Sequence, residues 1–355
     1  MPDPHEPDPR VPVAAALAVA TGVFEACGMS AADAAFLAGT LVDADRRGVA
    51  SHGLMRIPEY VGKLRDGGID PRGRPRVVRD SGAALVVDGG NAMGQIAAAF
   101  GMARAIERAQ TTGVAVAAVR GSNHCGAMAP FAEQALAEDM IGVAISHTLP
   151  VMAPWGSIDK ILGISPIGIA IPTSGGPSFV LDLAFAEAAV GKIKIHQQKG
   201  LEIPLGWAFD ADGHPTTDPR AAIEGLVAPI AGHKGSGLAL AFGLMTALLA
   251  GALYGPELGD TVRGPVPGGD SQLMLAIRVA AFDDPDRVKD RAAEALTRIR
   301  EGRRAPGADR ITTPGQRAAE TAVANDRDGI PLTTRTLDDL RSAASRLGVD
   351  PAPLG

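Results

Sequence analysis

Between residues 114 and 183 the chain alternates short runs of Val, Ile and small residues with an Ala-rich stretch, and this alternation constrains the fold most. Apolar runs of strand length bounded by turn signals read as buried strands, whereas longer Ala-rich segments read as helices. Strands are expected at 114–119, 141–146, 167–171 and 178–183, with a helix at 127–139. A helix at 235–254 and a strand at 272–281 extend the pattern, so the class implied is α/β. Ahead of it, strands at 76–80 and 83–88 flank Ser81-Gly82, a hairpin signal, and a helix at 93–112 follows. The ends of the chain are helical: 11–27, 31–47, a segment after Pro58 stopped by Gly67 and Gly68, then 285–301, 316–327 and 337–347. Ser30 with Asp33, and Thr336 with Asp339, stand at capping-box spacing, and Gly348 ends the last helix. The expected division is a disordered lead-in at 1–10, a helical subdomain from 11–70 and 285–355, and an α/β region at 71–284.

The apolar run 235–253 approaches membrane-spanning length. It holds four glycines, has no aromatic belt and stands alone in an acidic chain, so a helix buried on all faces of a large domain is the expectation. A net charge of -6 with interspersed signs argues against a nucleic-acid surface and leaves small molecules as partners. Cys27 and Cys125 lack CxxC spacing, which suits a reducing compartment and no thiolate zinc site. The opening MPDPHEPDPRVP, which contains His5, is acidic and Pro-rich where a signal peptide is basic and then apolar; a cytoplasmic protein is expected.

In a parallel α/β enzyme the first fingerprint to seek is G-x-G-x-x-G between a strand and a helix. It is absent: His233-Lys234-Gly235-Ser236-Gly237 comes nearest, with Leu240 in the third glycine position. The phosphate loop, the H-E-x-x-H zinc motif and the G-x-S-x-G elbow are missing too, and no set of ligands has metal-site spacing.

Three constellations remain. Ser51-His52-Gly53-Leu54-Met55-Arg56 sets an imidazole four residues from a guanidinium, ahead of Pro58. His exchanges a proton near neutral pH and Arg grips a carboxylate with parallel hydrogen bonds, a pairing suited to a 2-keto acid. On spacing alone, a structural turn with a packed His52 and a solvated Arg56 is the commoner arrangement. Gly121-Ser122-Asn123-His124-Cys125-Gly126 joins a strand to a helix, where α/β proteins bind ligands, though ordinary polar turns look the same. Cys125 beside His124 is weak evidence for a thiol nucleophile. Pro229-Ile230-Ala231-Gly232-His233-Lys234-Gly235 leads into the apolar helix, where Lys234 would add charge to the helix dipole, or merely snorkel beside a tight turn. His147 ends a strand and could face the same cleft; His196 and His214 lie in polar segments.

Taken in order, these motifs resemble the malate/L-lactate dehydrogenase family that is unrelated to the Rossmann-type enzymes. Its members include ureidoglycolate and sulfolactate dehydrogenases, 2,3-diketogulonate reductase and piperideine-2-carboxylate reductase. The likeness runs from about Ala31 to Gly348. It includes Asn91 and Gly94, Met152 to Gly156, Gly163 to Pro166, Asp182-Leu183-Ala184, Gly206-Trp207, Thr216 to Pro219 and Pro314-Gly315. It implies a non-Rossmann NAD(P)-binding fold with a central sheet domain and a helical subdomain from both termini, assembled as a homodimer. It further implies His52 as proton donor assisted by Ser51, and Arg56 as carboxylate clamp, with His147 and Thr148 as substrate contacts. NAD or NADP would be held by His124, Cys125, Gly126, Asp182, Leu183, Ala184, His233, Lys234, Gly315 and Gln316, without a metal. Phe185 and Ala186 replace a family Thr-Ser, Ile164 a threonine and Val190 a frequent arginine. Lys192 stands where some relatives have a relay aspartate, so a Ser-His-Asp relay is not supported. The expected activity interconverts a small 2-keto acid and its 2-hydroxy acid by hydride transfer. Reduction of a cyclic imino acid, or an idle NAD(P)-binding protein, are the alternatives.

Overall fold

The computed structural model describes residues 8–258 and 263–355, so His5 lies outside the described residues. In chain order the elements are β1 (Arg10–Val11), α1 (Val13–Ala26), α2 (Ala31–Arg46), α3 (Ile57–Arg65), β2 (Arg76–Ser81), β3 (Ala84–Asp88), α4 (Gly94–Thr112) and β4 (Val114–Ser122). Then come α5 (Ala129–Glu133), β5 (Met140–His147), β6 (Ile167–Ile171), β7 (Phe179–Leu183), α6 (Val190–Gln198), β8 (Ala208–Phe209), α7 (Pro219–Glu224), β9 (Leu226–Val227) and α8 (His233–Ala250). The chain closes with β10 (Asp270–Arg278), α9 (Pro285–Arg300), α10 (Gln316–Asp328), β11 (Ile330–Pro331) and α11 (Thr334–Arg346).

Seven strands form the central sheet in the order β2-β3-β4-β10-β5-β6-β7. Only β3 and β4 run parallel; β10 lies antiparallel between β4 and β5, so this is a mixed sheet rather than the parallel one that motivated the fingerprint search. Strand residues alternate faces. Ala115, Ala117 and Val119 pack with α4 and α5 on one side, and Ala118, Ile145 and Leu273 face α8 on the other. Small strand residues let α4 approach closely: a Cβ on Gly101 would sit 2.6 Å from Val119 Cγ2. The Ser81-Gly82 hairpin forms as expected, with Gly82 at φ 67°.

A second core joins the two chain ends. Phe24, Leu37, Leu41, Ile57 and Tyr60 pack against Ile330, Leu337 and Leu340, while β1 pairs with β11. Arg10 is thus paired within the segment expected to be disordered. Helix α9 adds nothing to this core; Lys289 joins it to Asp139 at the end of the sheet (3.0 Å). Ser30 caps α2 through the Asp33 N–H, as its spacing suggests. The Thr336 cap does not form: α11 starts three residues earlier, and Thr333 accepts the Thr336 N–H (3.1 Å). The expected helix at 127–139 is a short α5 followed by a tighter 3-10 segment, Gln134–Glu138.

Helix α8 is not buried on all faces. Ala239, Gly243 and Ala247 face the sheet, whereas Leu240, Met245, Leu248 (66% exposed) and Leu249 (57% exposed) face outward. Among the described residues no helix is long and apolar enough to cross a membrane.

Candidate active site

The site begins with a buried carboxyl. Asp45 on α2 accepts the Leu54 N–H at 2.7 Å, and burial raises its pKa to about 8. Its carboxyl occupies the space a Cβ on Gly53 would need, 2.2 Å away, so only glycine permits this turn. The two 3-10 turns Ala50–His52 and Leu54–Arg56 then hold His52 and Arg56 at the junction between the helical core and the sheet. Ser51 Oγ lies 2.9 Å from His52 Nδ1. Arg56 donates from Nε to the Ser51 carbonyl (2.8 Å) and from NH1 to Glu59 (3.1 Å). Two N–H groups on NH2 and one on NH1 remain for a ligand.

The loop after β4 brings His124 over His52, the rings parallel within 9° and their centroids 5.9 Å apart. Behind His124, Gln95 Nε2 donates to the Tyr60 hydroxyl (3.2 Å), whose oxygen lies 2.7 Å from His124 Nδ1. The hydroxyl has one proton; giving it to Nδ1 places the His124 proton on Nε2. Burial, Arg56 and His124 together hold the His52 pKa well below its ordinary 6.5. Burial, aided by Arg56 and Lys194, lowers His124 to about 3. Both rings are therefore neutral at pH 7. Burial pushes the Cys125 thiol up to about 12, which removes it as a nucleophile.

Ser51, His52, Arg56, His124, Cys125 and Lys194 line a cavity of about 690 Å³. Of the expected site residues, Ser51, His52, Arg56, His124, Cys125, Gly126, Thr148, Asp182, Leu183 and Ala184 all border it. A neighbouring cleft of about 1000 Å³ shares Val49, Ala127, Asp182 and Lys192 with it and reaches Gly315. Asp182 opens on both, yet its Oδ2 already accepts the Ala129 N–H (2.7 Å), and burial by the surrounding protein lifts its pKa to about 6. Gln316, beside Gly315, is hydrogen-bonded to Glu320 (3.0 Å). His233 and Lys234 stand exposed at the start of α8, outside both spaces, although Ile230 borders the cavity. His147 is not brought in. Strand alternation turns Ser146 and Thr148 toward the cavity and His147 to the other face, stacked on Tyr254 at 4.8 Å.

Three contributors were invisible in the sequence. Tyr60 and Gln95 reach His124 only through the packing of α3 and α4, and Lys194 sits on α6, a helix with no clear apolar period. Asp210, Asp212 and His214 bring ligand atoms within 4.8 Å on an exposed turn, but Asp210 Oδ1 already accepts the Asp212 and His214 N–H groups. Tyr60→Phe is expected to leave His124 Nδ1 buried without a partner, lowering stability by about 1–3 kcal/mol. Urea unfolding of the two proteins checks this.

Residues 11–341 match the malate/L-lactate dehydrogenase family. The chain belongs to that family. Among solved structures, sulfolactate dehydrogenase from Methanocaldococcus jannaschii superposes with a TM-score of 0.89 at 34% identity, covering 98% of this chain and 99% of that one. The (2R)-3-sulfolactate dehydrogenase (NADP(+)) of Chromohalobacter salexigens is 34% identical over 330 residues, 92% of this chain and 95% of the relative. The Delta(1)-pyrroline-2-carboxylate/Delta(1)-piperideine-2-carboxylate reductase of Pseudomonas putida is 30% identical over 334 residues, 94% and 96% of the two chains. Membership in the malate/L-lactate dehydrogenase family makes this chain an oxidoreductase of the hydroxy-acid and keto-acid type.

Proposed function

We propose that His52 exchanges a proton with the C2 oxygen of a small 2-keto or 2-hydroxy acid whose carboxylate rests on Arg56. The observation that carries this reading is the convergence of Ser51, His52, His124 and Arg56 on one cavity. NAD or NADP fits beside the acid because a second cleft continues the cavity past Asp182 toward Gly315. His124 to Gly126 and Asp182 to Ala184 would hold the coenzyme, with Gly315 and Gln316 farther along. The coenzyme, when bound, supplies or takes the hydride at C2. Ser51 Oγ accepts from His52 Nδ1–H and so leaves Nε2 facing the substrate, proton-bearing in the imidazolium and free to take a proton in the neutral ring; Arg56 orients the carboxylate and also fixes Ser51 through its carbonyl. An anion on Arg56 offsets the charge that lowers the His52 pKa, so substrate binding favours the imidazolium needed for reduction.

Coenzyme oxidation with a panel of 2-keto acids and cyclic imino acids tests the reading. Turnover of keto acids is expected; turnover of imino acids alone, or of none, would replace it with one of the alternatives.

The depressed His52 pKa sets a pH dependence. A lowered pKa leaves the ring neutral from below pH 6.5 upward. Oxidation, which uses the neutral ring as base, should keep kcat/KM level from neutral to alkaline pH and lose it only on acidification through that lowered pKa. Reduction needs the proton and should gain kcat/KM as pH falls. Initial rates in both directions across pH check the sign.

The reading includes a homodimer in the cytoplasm. Unpaired Cys27 and Cys125 suit a reducing compartment. The outward leucines of α8 form the apolar surface a second copy would cover. Leu248→Asp with Leu249→Asp removes about 2 kcal/mol of burial per leucine and should weaken self-association by about a hundredfold or more. Sedimentation velocity reads the result, and a wild-type monomer would refute the dimer.

A further inference from the structure

The start of α6 is pressed against the catalytic turn. A Cβ on Gly191 would stand 2.8 Å from Ser51 Cβ and 3.1 Å from an Arg56 NH2 nitrogen, so only glycine lets the helix come this near. Residues three and four apart share a helix face. Lys194 therefore follows Gly191 and Val190 on the side turned to the cavity, which both Val190 and Lys194 border.

The cations of this cavity are not equally occupied. Arg56 is held by Glu59 and the Ser51 carbonyl, and Lys192 lies over the Trp207 ring at 4.3 Å. Lys194 is half-buried, and among the described residues it has no ion pair or hydrogen bond. Arg56 and Arg263 bear on it with like charge, and Glu59 with opposite charge, although that carboxylate is already committed to Arg56. Asp182, Glu187 and Asp270 also border the cavity; burial raises the pKa of Asp182 to about 6 and of Asp270 to about 7, which weakens them as counter-ions. Burial together with the two guanidinium groups lowers the ammonium pKa of Lys194. A half-buried cation without a partner is unfavourable, and an arriving anion relieves the cost.

We propose that Lys194 receives a second anionic group of the substrate and so selects dianionic 2-keto and 2-hydroxy acids, those with a distal carboxylate or sulfonate, over monoanionic ones. This rests on the reading above, in which Arg56 takes the carboxylate next to the reacting carbon. Lys194 acts on specificity; proton and hydride transfer stay with His52 and the coenzyme.

The test compares kcat and KM for oxaloacetate, sulfopyruvate and pyruvate in wild type, Lys194→Met and Lys194→Arg. Wild type should favour one or both dianions over pyruvate by about tenfold or more in kcat/KM, the scale of a charge-assisted contact. Oxaloacetate and sulfopyruvate between them tell a carboxylate from a sulfonate. Lys194→Met should erase the preference by raising KM for the dianions far more than for pyruvate, and Lys194→Arg should restore most of it. Equal loss on all three acids in Lys194→Met would make the residue structural and overturn the proposal. So would a wild type that prefers pyruvate, or a Lys194→Met that keeps the dianion preference. Those results leave the Arg56 reading standing, whereas a wild type that reduces none of the three defeats both.

Discussion

Replacing His52 with alanine is expected to lower kcat by about a hundredfold or more, the usual scale of general acid catalysis, while the coenzyme dissociation constant stays unchanged. His52 presents Nε2 to the cavity because Ser51 occupies Nδ1, and among the described residues no carboxylate hydrogen-bonds the ring. His124 stacks beside it but has its own Nδ1 tied to Tyr60, so its tautomer is fixed by the Gln95–Tyr60 pair and it does not shift into the vacated place. His52→Gln offers a control of similar size that can still meet Ser51 yet cannot transfer a proton; it should be as inactive as the alanine variant. Unfolding curves of both proteins separate lost chemistry from lost fold. Wild-type turnover in a folded His52→Ala protein would return Ser51 to Arg56 to the status of a structural turn.

Arg56→Lys has a larger expected effect on KM than on coenzyme affinity. Lysine keeps the charge and loses the planar fork, so parallel hydrogen bonds to a carboxylate can no longer form. A rise in KM of about tenfold or more is expected. The structure adds a second consequence. Arg56 Nε holds the Ser51 carbonyl, and Ser51 in turn holds His52, so kcat should also fall, though by less than in His52→Ala. Steady-state kinetics with a keto acid separate the two effects, and the coenzyme constant measured without the acid should not move.

What the sequence disclosed and what it hid follow from the range of the interactions. Strands β4 to β7 and helix α4 are local patterns of apolar residues and lie within a few residues of their expected limits. The placement of β10 between β4 and β5 depends on pairing across more than a hundred residues, which no local period encodes. Catalytic candidates were legible where chemistry is concentrated in a short motif, as at Ser51 to Arg56. They were illegible where the partner is distant: Tyr60 meets His124 across 64 positions, and Gln95 meets Tyr60 across 35. His147 looked suitable because it ends a strand beside Thr148, but alternation sends neighbours to opposite faces, and the exact register decides which one meets the cavity. The apolar composition of α8 is equally that of a buried helix and of one that covers the sheet with one face and exposes leucines on the other.

A crystal structure with NAD(P)+ and a non-reducible 2-keto acid analogue such as oxamate tests the central claim most directly. The account predicts the analogue's carboxylate on Arg56, its carbonyl oxygen within hydrogen-bond distance of His52 Nε2, and the nicotinamide ring against the same carbon from the Asp182 side. An analogue bound away from Arg56, or a nicotinamide seated where His52 cannot reach the carbonyl oxygen, would contradict it.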